Sequence, residues 1–188
     1  MLRRTALLAF VPLVSLALVA AATTQAGTST GRESNTQNTT KPAITKGTLV
    51  KIQGQILIKA NNATVWAALT TTEGLGKVTG LKGLPAGGKF SKTGDAFPGT
   101  AWTDAGLVTC TYFGKETELR TAFEPTSAGY LCQYRIILQR DPSNGTMLTV
   151  LDRYTDDNEA AAVDATATIV ANQLATQLEA FRVSVEMP

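Results

Sequence analysis

The side chains best suited to chemistry cluster late in the chain, in the run Asp152-Arg153-Tyr154-Thr155-Asp156-Asp157, with Glu124, Tyr134 and Arg135 on earlier segments. A carboxyl held among apolar neighbours loses its hydration, its pKa rises, and it becomes able to transfer a proton near neutral pH. Along an extended segment side chains alternate between faces, which puts Asp152 and Tyr154 with Leu148 and Val150, and Arg153 opposite. Asp152 and Glu124, with Tyr134, are therefore the candidates for acid–base work. The commoner role for such a carboxylate is a cross-strand ion pair, here with Arg135, and for Asp156 a helix cap.

Other chemistry is excluded by composition. The chain contains 0 His, which removes Ser-His-Asp and Cys-His catalysis and His-ligated zinc. Its 2 Cys are too few for an all-thiolate zinc site, so no metal is expected. No GxGxxG, P-loop or calcium-loop pattern occurs, and no cofactor is expected. Cys110 and Cys132 fall on two strand-like segments with a third between them, about 9 to 10 Å apart by strand spacing. An exported chain with an even count invites a disulfide, but that bond needs Cα atoms within about 7 Å, so two reduced or buried cysteines are expected over a bridge.

The elements that must position these residues are legible from periodicity. Val50, Ile52, Ile56, Ile58 and Ala60 alternate with Lys51, Gln53, Gln55 and Lys59, as in a strand with one buried face, and only Leu57 breaks the pattern. Asn61 or Asn62 can cap a helix carrying Val65 and Trp66, which Gly74 and Gly76 should interrupt within about three turns. From Gly80 to Gly106 the chain is rich in Gly, with short strands expected near Leu81 and from Phe97 to Trp102. Four strand-like runs then follow: Leu107 to Phe113, Glu118 to Glu124, Tyr130 to Gln139 and Thr146 to Tyr154. Their short connections favour an antiparallel meander, because parallel neighbours need crossovers of a dozen residues or more. Finally Val163, Ala167, Val170, Leu174, Leu178, Phe181 and Val185 step by three or four, one apolar stripe on a helix of about seven turns that Asp156 and Glu159 can cap.

The N-terminal region reads differently. Met1-Leu2-Arg3-Arg4, an uncharged apolar run from Ala6 to Ala22 and small residues after it form the pattern of a signal peptide, with cleavage after Ala22 or Ala26. A membrane anchor is the other reading, but Pro12 interrupts the run, which is short for a span of about 20 residues. The organisation expected is a leader over 1–26, a flexible polar tether over 27–47 that buries too little apolar surface to order itself, and one domain over 48–188. This predicts a secreted or periplasmic protein with no stable membrane span once the leader is removed. Of 17 Lys plus Arg, losing Arg3 and Arg4 leaves 15 against 15 Asp plus Glu. A neutral chain with no basic stripe is poorly suited to phosphates, so nucleic acid is not expected as a partner.

One strand, a short helix, a run of antiparallel strands and a long amphipathic helix, in that order, resemble the START-like superfamily, also called the SRPBCC or Bet v 1-like group, which includes polyketide cyclase/dehydrase-like and lipid-transfer proteins. Ile56-Leu57-Ile58-Lys59-Ala60 leading into Val65-Trp66-Ala67-Ala68-Leu69, then Glu118-Leu119-Arg120, Tyr154-Thr155-Asp156 and the closing helix through Phe181 carry the resemblance. It departs at Asn61-Asn62-Ala63, where a proline-like start to the first helix is usual. The resemblance implies an α+β helix-grip fold, a curved antiparallel sheet wrapped around the C-terminal helix. It also implies a small hydrophobic or amphipathic ligand between sheet and helix. Trp66, Trp102, Phe113, Tyr130, Tyr134, Leu174 and Leu178 are the candidates to line that cavity, although strand aromatics are more often plain core. Three readings follow: a non-enzymatic binding module, a cyclase or dehydratase-like enzyme using a carboxylate and Tyr134, and an interaction domain with a filled core of the Hsp90-activator-like kind.

Overall fold

The computed structural model describes residues 48–126, 132–156 and 160–187. The leader and tether expected over 1–47, Tyr130, and the capping pair of Asp156 and Glu159 lie outside the residues or side chains described. Nine elements run in the order β1 (Thr48–Ile58), α1 (Asn62–Leu69), α2 (Thr72–Thr79), β2 (Ala96–Ala101), β3 (Asp104–Gly114), β4 (Glu118–Pro125), β5 (Cys132–Arg140), β6 (Thr146–Asp156) and α3 (Ala160–Glu186) among the described residues.

Strict alternation makes β1 a half-buried strand: Val50, Ile52, Gly54, Ile56 and Ile58 face inward, and Leu57 takes its proper place on the outer face. The strand stops at Ile58 rather than Ala60. There the Ala60 carbonyl accepts the Thr146 hydroxyl at 2.7 Å instead of continuing the ladder. Asn61 is the cap of α1, its side chain accepting the Thr64 N–H at 2.9 Å. The Asn62 side-chain oxygen shares that Thr146 hydroxyl proton with Ala60, and its amide donates to the Glu116 carbonyl, tying the helix start to the sheet.

The glycines expected to interrupt this first helix do not do so. The break falls at Thr70-Thr71, where the Thr70 hydroxyl returns to the Trp66 carbonyl at 2.9 Å and Thr71 caps α2 through the Gly74 N–H. Gly74 and Gly76 lie inside α2. A Cβ on Gly74 would run into the Ala68 carbonyl, so glycine there permits the tight α1–α2 joint. Near Leu81 the expected strand is reduced to an isolated bridge between Lys82 and Thr100.

The strands form one antiparallel sheet in the order β1-β6-β5-β4-β3-β2, the expected meander closed by β1 beside β6. Cys110 on β3 and Cys132 on β5 flank β4, opposite Thr121 and Phe123, and both thiols are free and buried. Helix α3 lays Leu174, Leu178, Phe181 and Val185 against the sheet, with Val163 also buried and Ala167 and Val170 half-covered. Gly54 lets it approach closely, since a Cβ there would stand 2.8 Å from Leu178 Cδ1 and 3.0 Å from Leu174 Cδ2. The result is a curved sheet gripping a long C-terminal helix, the α+β helix-grip architecture. No described helix is long and apolar enough to cross a membrane.

Candidate functional site

On the inner face of the sheet, alternation sets Cys132, Tyr134, Ile136 and Leu138 of β5 beside Leu148, Val150, Asp152 and Tyr154 of β6. The register places Asp152 between Tyr134 on one side and Ile52 on the other. Asp152 is only 7% exposed, and its Oδ1 has no hydrogen-bond partner among the described residues. Burial pushes its carboxyl from 3.8 up to about 7, against a smaller opposing pull from the Arg153 backbone N–H. The Cys132 thiol donates to the Tyr134 hydroxyl oxygen at 3.3 Å. Burial first, and the nearby Asp152 second, push that thiol up to about 12, so it stays protonated and is a poor nucleophile.

The carboxylate cluster read from the sequence is divided by the sheet. Arg135 points to the outer face, where its Nε meets Glu118 at 2.6 Å and Arg120 joins the same carboxylate. The expected Asp152–Arg135 pair therefore does not form: the two residues are one position out of register and on opposite faces. Glu124 is exposed, opposite Leu107 on the outer face, and cannot act together with Asp152 and Tyr134.

Asp152 and Tyr134 form the floor of a cleft of about 820 Å³. One wall is the end of α2 and the turn after it, including Lys77, Thr79, Gly80 and Lys82. Backbone hydrogen bonds in both directions between Lys82 and Thr100 fix that turn to β2. The second wall is the middle of α3, from Ile169 to Ala180, and Gly80 at φ 74 leaves room for the Gln177 amide between the two helices. The third is the β2–β3 hairpin with Trp102. This residue is the first of a two-residue turn at φ 50, a backbone conformation ordinarily left to glycine, and it is 52% exposed. It meets Tyr154 edge-on at 5.5 Å.

Of the cavity candidates, Trp102, Tyr134 and Leu174 line this cleft, whereas Trp66, Phe113 and Leu178 do not. Trp66 and Phe113 stack edge-to-face at 5.1 Å, and Leu178 fills the space over Gly54. Lys77, Lys82, Ile169, Gln173 and Gln177 were missed. For Gln173 and Gln177 the signal in the sequence is faint, a polar edge beside the apolar stripe of α3. Among the described residues no group of His, Cys, Asp or Glu could hold a metal.

The solved structures that share this geometry decide the fold. A Staphylococcus aureus protein of unknown function aligns at a TM-score of 0.55 with 11% identity, over 74% of this chain and 94% of that one. The solution structure of the Aha1 dimer from Colwellia psychrerythraea aligns at 0.53 with 17% identity, over 73% and 97%. A Deinococcus radiodurans protein aligns at 0.53 with 14% identity, over 73% and 98%.

This is the helix-grip fold.

At these identities the likeness is one of fold. No family model and no curated protein matches the sequence. Here the open region between sheet and last helix is lined by one desolvated carboxyl, Asp152, and one tyrosine, Tyr134.

Proposed function

We propose that the chain is an exported binding module that holds a small hydrophobic or amphipathic molecule in the cleft over Tyr134 and Asp152. The cleft itself carries the reading: about 820 Å³ is the size of an ordinary small-molecule site, and its mostly apolar walls with a few convergent polar groups match what such sites need. An interaction domain would instead fill this space with side chains. Export rests on the basic, apolar and small-residue order of Met1 to Ala26, with the polar stretch after it as a tether.

A second reading is favoured by one observation. Asp152, with a pKa raised to about 7 beside Tyr134, is poised for proton transfer to or from a bound molecule, as in a cyclase or dehydratase-like enzyme. With Glu124 on the far face, such an enzyme would work with a single carboxyl.

Native mass spectrometry of the full chain expressed in and recovered from its host tests the first reading. A population heavier than the bare protein, releasing an apolar compound on organic extraction, is the expected result. Bare protein alone, with no binding of added hydrophobic probes, would sink it. Turnover of the extracted compound that is lost in Asp152→Asn would favour the enzyme.

A further inference from the structure

A buried carboxyl with an unpartnered oxygen is costly, and an apolar residue of similar size in its place is commonly neutral or stabilising. Leu148 and Val150 on the same face of β6 show that apolar residues suit this interior. What separates Asp152 from them is that it lines the cleft. Oδ1 is a buried acceptor without a donor, on a residue that lines the cleft, so a ligand's donor reaches it where the side chains over it give way.

The surroundings narrow the donor. The walls carry two other charged residues, Lys77 and Lys82, both exposed and both cationic. Their positive charge disfavours a ligand that carries an ammonium group. A carboxylate ligand would be repelled by Asp152 in its ionised form. A neutral O–H meets neither obstacle. Beside Asp152 stand Tyr134 and Cys132 from β5 and Ile52 from β1, and the cleft around it is lined by the two lysines from α2 and its following turn and by uncharged residues such as Leu174 and Gln177 from α3.

We propose that Asp152 is the recognition group of the cleft and takes the O–H of a neutral, mainly apolar ligand of the alcohol or phenol class. The proposal rests on the binding reading above and names the ligand chemistry within it. Trp102 supports it from the rim: a tryptophan held at φ 50 is strained, and its half-exposed indole offers an apolar face at the mouth of the cleft. Tyr134 shares the floor, its hydroxyl oxygen already accepting from Cys132.

Isothermal titration of the full chain with 2-naphthol and 2-methoxynaphthalene, which differ in the donor, tests the assignment. At pH 8 the naphthol binds about tenfold more tightly, the scale of one hydrogen bond to a charged acceptor. The gap narrows toward pH 5, where a protonated Asp152 can donate to the ether oxygen. In Asp152→Leu the preference disappears while 2-methoxynaphthalene still binds. Equal affinities at pH 8, a preference that survives in the leucine variant, or tightest binding by 2-(aminomethyl)naphthalene would each overturn the proposal. Equal affinities would leave the binding reading standing, whereas binding of none of these probes would overturn both. Should the leucine variant not fold, the pH series on the unaltered chain decides between these outcomes by itself.

Discussion

On the outer face of β4 and β5, the Glu118 carboxylate accepts from both Arg120 and Arg135, and these guanidinium groups hold its pKa below the usual carboxylate value. On the inner face of β5 and β6, Asp152 has no cation against it and its pKa is raised. The sheet thus pairs a charge where water could have solvated it and leaves one unpaired where water is scarce. For stability alone the arrangement is inverted, since exposed pairs contribute little and buried lone charges cost much. The inner carboxyl makes sense when something that arrives later completes its hydrogen bonding.

Asp152→Leu should break this contrast with the largest effect. Because the folded pKa of about 7 lies above the unfolded value near 3.8, the native state binds the extra proton between them. Stability of the unaltered chain is therefore greatest below that window, falls as pH rises through it, and levels off above. Urea titrations across pH should show that decline, and the leucine variant should lack it, with a gain at pH 8 on the order of a few kcal/mol.

Gly54→Val sharpens the contrast from the filled part of the same inner face. Its side chain would press on Leu178 and Leu174, and overpacking of this kind costs about 1 to 3 kcal/mol. Trp102→Gly probes the rim: relief of φ 50 and loss of the edge-on contact with Tyr154 are each about 1 kcal/mol and should nearly cancel in stability, while binding of 2-naphthol weakens. Calorimetric melting and titration report the two changes separately. Smallest is Glu118→Gln on the outer face, expected to cost about 1 kcal/mol or less at neutral pH. As the Glu118 pKa is lowered by folding, its contribution is present above the ordinary carboxylate value and fades as pH falls through the folded one, which acid titration of both chains should show.

Local periodicity made much of this legible in the sequence. The alternation in β1, the meander and the apolar stripe of α3 each depend on neighbours two to four residues away, and each is present. Alternation also put Asp152 on the apolar face. Its partner could not be read that way, because register between β5 and β6 sets Tyr134 rather than Arg135 opposite. The joint at Thr70-Thr71 was hidden because Gly74 looks like a helix breaker unless the Ala68 carbonyl above it is known. Lys77, Lys82 and Gln177 line one cleft only because α2 and the turn after it lie beside α3, an approach set by packing across about a hundred residues of chain.

The most direct measurement is a carbon-13 NMR titration of the Asp152 side-chain carboxyl, made on the free chain and on its complexes with 2-naphthol and 2-methoxynaphthalene. A midpoint near 7 in the free chain is expected. Because an O–H donor stabilises the carboxylate, the midpoint should be lower in the naphthol complex than in the methoxynaphthalene complex. A free-chain midpoint near the ordinary 3.8, or the same midpoint in both complexes, would contradict the account.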